Sequence, residues 1–424
     1  MLEQVLDIRN VQKACKQVIS NGGSGGVDGM QTDGLRDFLN ANWQTLRTDI
    51  LEGKYRPQAV KKVEIPKPQG GTRMLGIPTV TDRLIQQSLS QWMNNLWDNE
   101  FSANSYGFRP NKNAHQAVLQ AQKFLNEGYD YVIELDLEKF FDKVNHDYLM
   151  HLLTKKIADK RVLKLVRKYL TTGMMEGGVV SQRTEGTPQG SPLSPLLSNI
   201  LLHELDKELH VRGLRFVRYA DDCSIYVKSQ KSADRVMSSI SRFIEDDLKL
   251  KVNKTKSKVS RPTQSTLLGF SFYKTKGLWI IRIAKKSVLR MQKKVKHHLK
   301  RSNPSSLQSK VIGLSAIIVG WVNYFMIAES KTILQKLDEQ TRTRARICQW
   351  HQWKRVRTRI KHLKRLGINS QKAYEWGNTS RGACRVAHSP ILTRTLNNQY
   401  LSKLGLVSFY NHYFNKRKLQ LELF

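Results

Sequence analysis

The run RFVRYADDCSIYV, residues 215–227, constrains this chain more than any other stretch. Val217 and Tyr219 lead into two adjacent aspartates, and Ile225 and Val227 lead out of them. Apolar runs on both sides of a short polar break read as a buried hairpin with Asp221 and Asp222 at its tip. Neighbouring carboxylates repel, so each resists ionising beside the other. Burying such a pair is costly unless cations meet it. A fold containing this hairpin must therefore present the tip at a rim where positive charge can arrive.

A second strand end supplies a third carboxylate. YDYVIELDLEKFF, 129–141, reads as a buried central strand running into a turn, with Asp136 at its rim. Three carboxylates at two strand ends suit two Mg²⁺ ions, each of which takes one or two protein carboxylates and keeps positions for phosphate and water. Such a pair stabilises the attacking and leaving oxygens of an in-line phosphoryl displacement. On these residues alone, a solvated Asp-Asp turn competes with the metal reading.

Charge points the same way. The chain carries 71 Lys+Arg against 35 Asp+Glu, a net +36, and residues 285–424 hold 29 against 5, or +24 of that excess. A polyanionic partner is implied, nucleic acid ahead of an acidic membrane surface, with a solubilising basic surface as the plainer alternative. The four cysteines form no C-x-x-C pair and no zinc pattern, which implies reduced thiols and a cytoplasmic setting. No signal peptide is visible. The uncharged stretch 311–328 is 18 residues long, but its glycines, Ser315 and Asn323 mark a buried helix rather than a membrane span.

Helices are expected over 1–20 and 31–53, separated by the glycine-rich loop 21–29, which lacks the Gly-Lys-Ser/Thr of a Walker loop. Prolines, a Gly-Gly turn and β-branched runs predict a hairpin over 57–78. Further helices are expected over 80–126, 146–171 and 231–248. Ser194 reads as an N-cap with Pro195 in the first turn, and Leu197, Leu201, Leu205 and Leu209 mark that helix's apolar face. Residues 266–274 read as strand, and helix is expected from 285 onward. Ile347, Trp350, Trp353, Val356, Ile360 and Leu363 recur every three or four residues and predict one basic amphipathic helix over 347–366, with both tryptophans in its core. Arg344, Arg346, Lys354, Arg355, Arg357, Arg359 and Lys361 crowd its other faces, where nucleic-acid phosphates would bind.

The blocks also keep a known order. YADD (219–222) comes after DLEKFF (136–141), with TPQGSPLSP (187–195) between them, and this resembles the palm of reverse transcriptases, most closely those encoded by group II introns. IPKPQGGTRMLGIPT (65–79), SYGFRPNKNAH (105–115), KVNKTKS (251–257) and LGFSF (268–272) resemble further blocks of that family. GWVNYF (320–325) and CQWHQWKRVRTR (348–359) resemble its thumb, or X, region and the segment next to it. The resemblance implies an α+β right-hand polymerase fold, with fingers and palm built on antiparallel sheet. An α-helical thumb/X domain and a small basic C-terminal DNA-binding region would come after them. The expected divisions are 1–80 for an N-terminal extension and fingers, 81–284 for the fingers/palm core, 285–366 for the thumb and 367–424 for the DNA-binding region. No HNH-type Cys/His cluster is seen, so the chain resembles the endonuclease-lacking, class C-like members, which implies that it does not nick DNA itself.

The same resemblance assigns roles. Asp136, Asp221 and Asp222 match the metal-binding carboxylates, with the main-chain carbonyl of Leu137 as an added ligand. Lys67 and Arg73 would meet the incoming triphosphate, although a basic hairpin touching the template fits the residues too. Phe141 would lie under the sugar and exclude a 2′-hydroxyl, although a packed core Phe fits that position too, and Phe140 beside it would be a core residue. Pro188, Gln189 and Gly190 would line the nucleotide, with Ser191 where many relatives carry a second Gly. Lys256 would help protonate the leaving pyrophosphate, and a plain surface lysine fits equally. Residues 268–270 would support the primer end, or pack as ordinary strand. The 21–29 loop corresponds to an extension that closes over the template.

The implied activity is that of an RNA-directed DNA polymerase with two Mg²⁺, replaceable by Mn²⁺. It would act on dNTPs and an RNA template/DNA primer duplex. It would also bind its group II intron RNA as a maturase and meet target DNA during intron mobility. The implied setting is a bacterial cytoplasm with no membrane partner, and a homodimer stays open. Two other readings compete: a splicing cofactor with a relic polymerase site, against which the intact carboxylates argue, and a host-adapted polymerase of repair or defence freed from any intron.

Overall fold

The computed structural model describes residues 1–66, 70–176, 179–181 and 184–422. The chain forms two compact units, Met1–Ser265 and Thr266–Phe424.

Along the first unit run α1 (Leu2–Val5), α2 (Ile8–Asn21), α3 (Leu35–Leu51), β1 (Val60–Pro66), β2 (Thr72–Ile77), α4 (Val80–Trp97), α5 (Ala114–Asn126), β3 (Tyr131–Leu135), α6 (Phe140–Lys143), α7 (His146–Thr154), α8 (Lys160–Thr171), β4 (Met174–Glu176), β5 (Val179–Ser181), α9 (Ser194–Val211), β6 (Arg215–Tyr219), β7 (Asp222–Val227), α10 (Gln230–Asp246) and β8 (Lys258–Ser260). Two four-stranded sheets result, ordered β2-β1-β4-β5 and β6-β7-β3-β8. The second is antiparallel throughout, with Ile225 paired to both Phe216 and Ile133. β-branched and aromatic residues fill its strands because they pack well on a pleated, covered surface. Beneath it lies one large core, to which α7, α8, α9 and α10 contribute.

Helix α9 is buried almost all round. Leu197, Leu201, Leu205 and Leu209 enter the core as their spacing predicts, while Asn199 and Asp206 are buried as well. Its start differs from expectation. Leu193 is the N-cap, without a side-chain cap, and Ser194 is already helical. The Ser194 hydroxyl instead donates to the Pro188 carbonyl at 2.8 Å, anchoring the preceding loop. The glycine-rich loop after α2 is anchored too: Arg83 of α4 donates to the carbonyls of Gly22, Ser24 and Pro78.

The second unit opens with the hairpin β9 (Phe270–Thr275) and β10 (Leu278–Ile283), then continues as α11 (Lys285–His298), α12 (Leu307–Tyr324), α13 (Lys331–Gln352), α14 (Val356–Arg365), α15 (Ser370–Gly377), α16 (Ala383–Ala387), α17 (Pro390–Thr395), α18 (Asn398–Lys403) and α19 (Phe409–Glu422). α12 buries Val311, Leu314, Ile318 and Val322 along one face. Among the described residues no helix is long and apolar enough to cross a membrane. The GWVNYF end of α12 packs on the LGF segment at the start of β9: Phe325 packs on Phe270 with ring centres 4.9 Å apart and the rings tilted by 55°, and the Tyr324 hydroxyl donates to the Leu268 carbonyl at 2.8 Å.

The helix expected over 347–366 is broken. α13 ends at Gln352 and α14 begins at Val356. Trp350 and Trp353 are both core residues, as their spacing predicts, and share that core with Leu363. Val356, counted in that repeat, is 38% exposed at the start of α14, so the repeat marks buried residues on either side of the break but not across it. Arg359 closes the corner, donating to the Trp353 carbonyl at 3.0 Å with its guanidinium 4.6 Å from the centre of the Trp350 ring.

Candidate active site

The site is assembled where β3 ends beside the β6–β7 turn. Tyr219 pairs with Asp222, so Ala220 and Asp221 make the two-residue turn, with Ala220 in the left-handed region at φ 57°. Leu135 pairs with Cys223, which puts Asp136 opposite Asp222 one step further along. Three carboxylates thus meet at one sheet end, and their electrostatics register it. Loss of hydration, then repulsion from Asp221, Asp136 and Glu134, push the Asp222 carboxyl up to about 6. Asp221 is raised by the same loss of hydration and by Asp136, against the pull of Arg73 and Arg218. The Lys256 ammonium lies 3.4 Å from an Asp136 carboxylate oxygen, on the surface.

The main chain around Asp136 is held by the KVNKTKS block. The Asp136 N–H donates to the Ser257 hydroxyl at 3.0 Å, and the Asp136 carbonyl accepts from the Asn253 N–H at 2.8 Å. Leu137 forms an isolated bridge with Val252, but the bridge's hydrogen bonds run through the N–H groups of Glu138 and Asn253. Its carbonyl oxygen takes no part in them. Among the described residues no group of three or more His, Cys, Asp or Glu side chains forms a metal cage by itself. A Mg²⁺ site completed by phosphate and water does not need one. Hard oxygen donors whose negative charges repel one another fit such an ion.

Phe140 is in the core and Phe141 is half-buried beside it, their rings 5.2 Å apart. The Gln189 carbonyl accepts from the Gly76 N–H at 2.8 Å, stitching the Pro188–Gly190 turn to β2. Gly190 has φ 113°, and a Cβ there would sit 2.6 Å from the Gly76 oxygen, so both conformation and space require glycine. Ser191 is buried and donates to Gln86, a bond that a second glycine would lack. Arg73 is exposed on β2 and pairs across the hairpin with Ile65. Lys67 lies outside the described residues.

In the second unit the basic residues divide. Lys354, Arg355, Arg357 and Lys361 are exposed. Arg346 and Arg359 are partly buried and used internally, Arg346 donating to the Leu396 carbonyl at 3.1 Å. Arg344 lines a groove with Lys293, Lys296, Arg381 and Arg385.

Sequence reasoning missed the support beneath the aspartate turn. Arg218 is fully buried, pairs with Asp206 through two short hydrogen bonds, and donates to Asn199 Oδ1 at 3.0 Å and to the Ala220 carbonyl at 2.9 Å. A signal existed: Asn199 and Asp206 stand seven apart on α9, two polar residues on one face of a leucine-rich helix.

Comparison with known proteins bears on this arrangement. Residues 65–272 match the family of reverse transcriptases (RNA-dependent DNA polymerases), and residues 288–367 match the group II intron maturase-specific domain. Protein YkfC of Escherichia coli K12 is 33% identical over 272 residues, 55% of this chain and 71% of that protein. The group II intron-encoded protein LtrA of Lactococcus lactis is 27% identical over 349 residues, 67% of this chain and 56% of LtrA. A putative COX1/OXI3 intron 2 protein of Saccharomyces cerevisiae is 26% identical over 411 residues, 81% of this chain and 46% of that protein. The chain therefore spans about half the length of the last two. With a polymerase-type aspartate turn in the first unit and a maturase-specific match in the second, the chain belongs to the group II intron-encoded reverse transcriptases/maturases.

Proposed function

We propose that this protein extends a DNA primer on an RNA template and binds its group II intron RNA to assist splicing and mobility. The observation that carries the polymerase half is the meeting of Asp136, Asp221 and Asp222 at one sheet end, charged against one another under an exposed Arg73. These carboxylates, with the Leu137 carbonyl, are the residues that would hold two Mg²⁺, or Mn²⁺ in their place. Bound ions would supply Lewis-acid stabilisation to the attacking and leaving oxygens.

The chain's own residues do the rest. Ser257 and Asn253 fix the peptide of Asp136, so its carboxylate is presented without reorganisation. Arg73 receives the triphosphate of the incoming dNTP, and Lys67 is read as a second cation for it. Phe141 and the Pro188–Gly190 turn shape the floor under sugar and base. Lys256 holds a proton at Nζ beside the reacting phosphates and delivers it to the pyrophosphate leaving group.

Residues 1–80 are read as N-terminal extension and fingers, 81–284 as the polymerase core, 285–366 as thumb and 367–424 as a DNA-binding region. The exposed cations of the second unit support contacts with intron RNA, the template/primer duplex and target DNA. The four unpaired cysteines support a reducing bacterial cytoplasm.

Primer extension on an RNA template with Mg²⁺ tests the reading. Asp222→Ala should abolish extension and leave intron RNA binding unchanged. Undiminished extension by a triple alanine variant of the aspartates would overturn it.

A further inference from the structure

Phe108 is out of place by the rules that govern the rest of the first unit. It is a bulky aromatic in the left-handed region at φ 58°, where such residues are strained, and it is 54% exposed. Glycine or asparagine would adopt that conformation at little cost. Burial does not explain the phenylalanine, and among the described residues its ring has no aromatic or cationic partner.

Its loop is nevertheless rigid. Arg109 donates to the Asp98 carboxylate and carbonyl, and to the carbonyls of Ser102 and Ser105, at 2.6–3.0 Å. The Tyr106 N–H donates to the Arg218 carbonyl at 2.9 Å, and the Arg218 N–H donates to the Asn104 carbonyl at 2.9 Å. Asn199 holds the Gly107 carbonyl at 2.9 Å. Gly107 itself presses on the aspartate turn: a Cβ there would lie 2.2 Å from the Ala220 nitrogen. The SYGFRP block is thus a bracket clamped to the catalytic turn, and it carries an exposed, strained aromatic one residue from the contact.

Strain kept at an exposed position beside a site points to a role outside the chain. We propose that Phe108 packs against the nucleic acid held over the aspartate turn, as a binding residue for the primer–template. The ligand class comes from the polymerase reading, on which this inference rests. Exposed aromatics beside a polyanion's path hold sugar and base faces without reading sequence.

The opposed effects of one substitution test it. Phe108→Asn relieves the backbone and removes the ring. Its melting temperature should equal or exceed that of the unaltered protein. Affinity for a fluorescent DNA primer annealed to RNA, read by anisotropy without dNTP, should fall about tenfold, within the range for one aromatic–base contact. Phe108→Tyr should retain affinity, and KM for dNTP should stay constant in both. Unchanged affinity in Phe108→Asn and Phe108→Ala would overturn the proposal. So would an affinity loss that tracks a fall in melting temperature. Absence of any extension by the unaltered protein would instead sink the polymerase reading.

Discussion

Arg218 and Asp206 form an ion pair at 2.6 Å in which neither side chain is exposed to solvent. The same guanidinium ends on the Ala220 carbonyl, the backbone link between Tyr219 and Asp221. Removing one partner strands the other charge in the core. Arg218→Met should therefore cost about 3–5 kcal/mol, read as a lower urea midpoint. Arg218→Lys should not recover it, because a point charge cannot serve Asp206, Asn199 and Ala220 together. Replacing both partners by apolar residues should cost less than the two single changes summed. Near-neutral single variants would show that the pair does not brace the turn.

Asp222 makes the ion-free protein pH-sensitive. Its carboxyl is pushed up to about 6 in the fold, from 3.8, so the folded state holds the proton more tightly than the unfolded chain. Stability from this group is then greatest below about pH 4, falls as pH rises to about 6, and is level above that. Asp222→Asn should melt above the unaltered protein near neutral pH in chelator, and the gap should close at about pH 3.5. Melting curves against pH check the sign, and added Mg²⁺ should narrow the gap at neutral pH.

Adjacent phenylalanines should fail in different ways. Phe140 is a core residue, and Phe140→Ala should cost about 3–5 kcal/mol. Phe141 is half-buried beside it. Phe141→Ala should fold nearly as well and should incorporate ribonucleotides at least roughly tenfold more readily relative to deoxyribonucleotides. Competition between the two nucleotides in primer extension reads the ratio.

Gly190→Ala meets both a positive φ and the Gly76 oxygen. It should destabilise by more than about 1 kcal/mol and raise KM for dNTP, because the turn must withdraw from β2. Gly128→Ala is the control, since it shares the positive φ but has open space around it. Steady-state kinetics of the two variants separate conformational strain from displacement of the turn.

Nucleic-acid affinity should fall with salt. Replacing Lys354, Arg355, Arg357 and Lys361 by Gln should flatten the log K against log [salt] slope by about 0.7–0.9 for each phosphate no longer neutralised. The same change at Arg346 or Arg359 should lower the melting temperature instead, because these guanidinia hold the Leu396 and Trp353 carbonyls.

The aspartate hairpin and the Asp136 strand were legible because nearly continuous burial along each strand, broken by a polar tip, leaves few other arrangements. The leucine face of α9 was legible from its spacing. Ser194 misled because a Ser-Pro start looks like a cap wherever the hydroxyl goes, and here it goes to Pro188. β4, β5 and β8 are three residues each, too short to show a pattern, and exist through their neighbours. The Arg218 network was hidden because its members lie up to 19 positions apart and meet only when β6 packs on α9.

The bond between the Gly76 N–H and the Gln189 carbonyl, 2.8 Å long, also fastens β2 to the turn that precedes α9. Gly190 packs against the carbonyl oxygen of the same residue, so β2 is held at Gly76 through both of its flanking peptides. Arg73 stands three residues from it, about 10 Å along an extended strand. The positive charge that draws on Asp221 is thus carried by a strand anchored at its Gly76 end and, through β1, to β4.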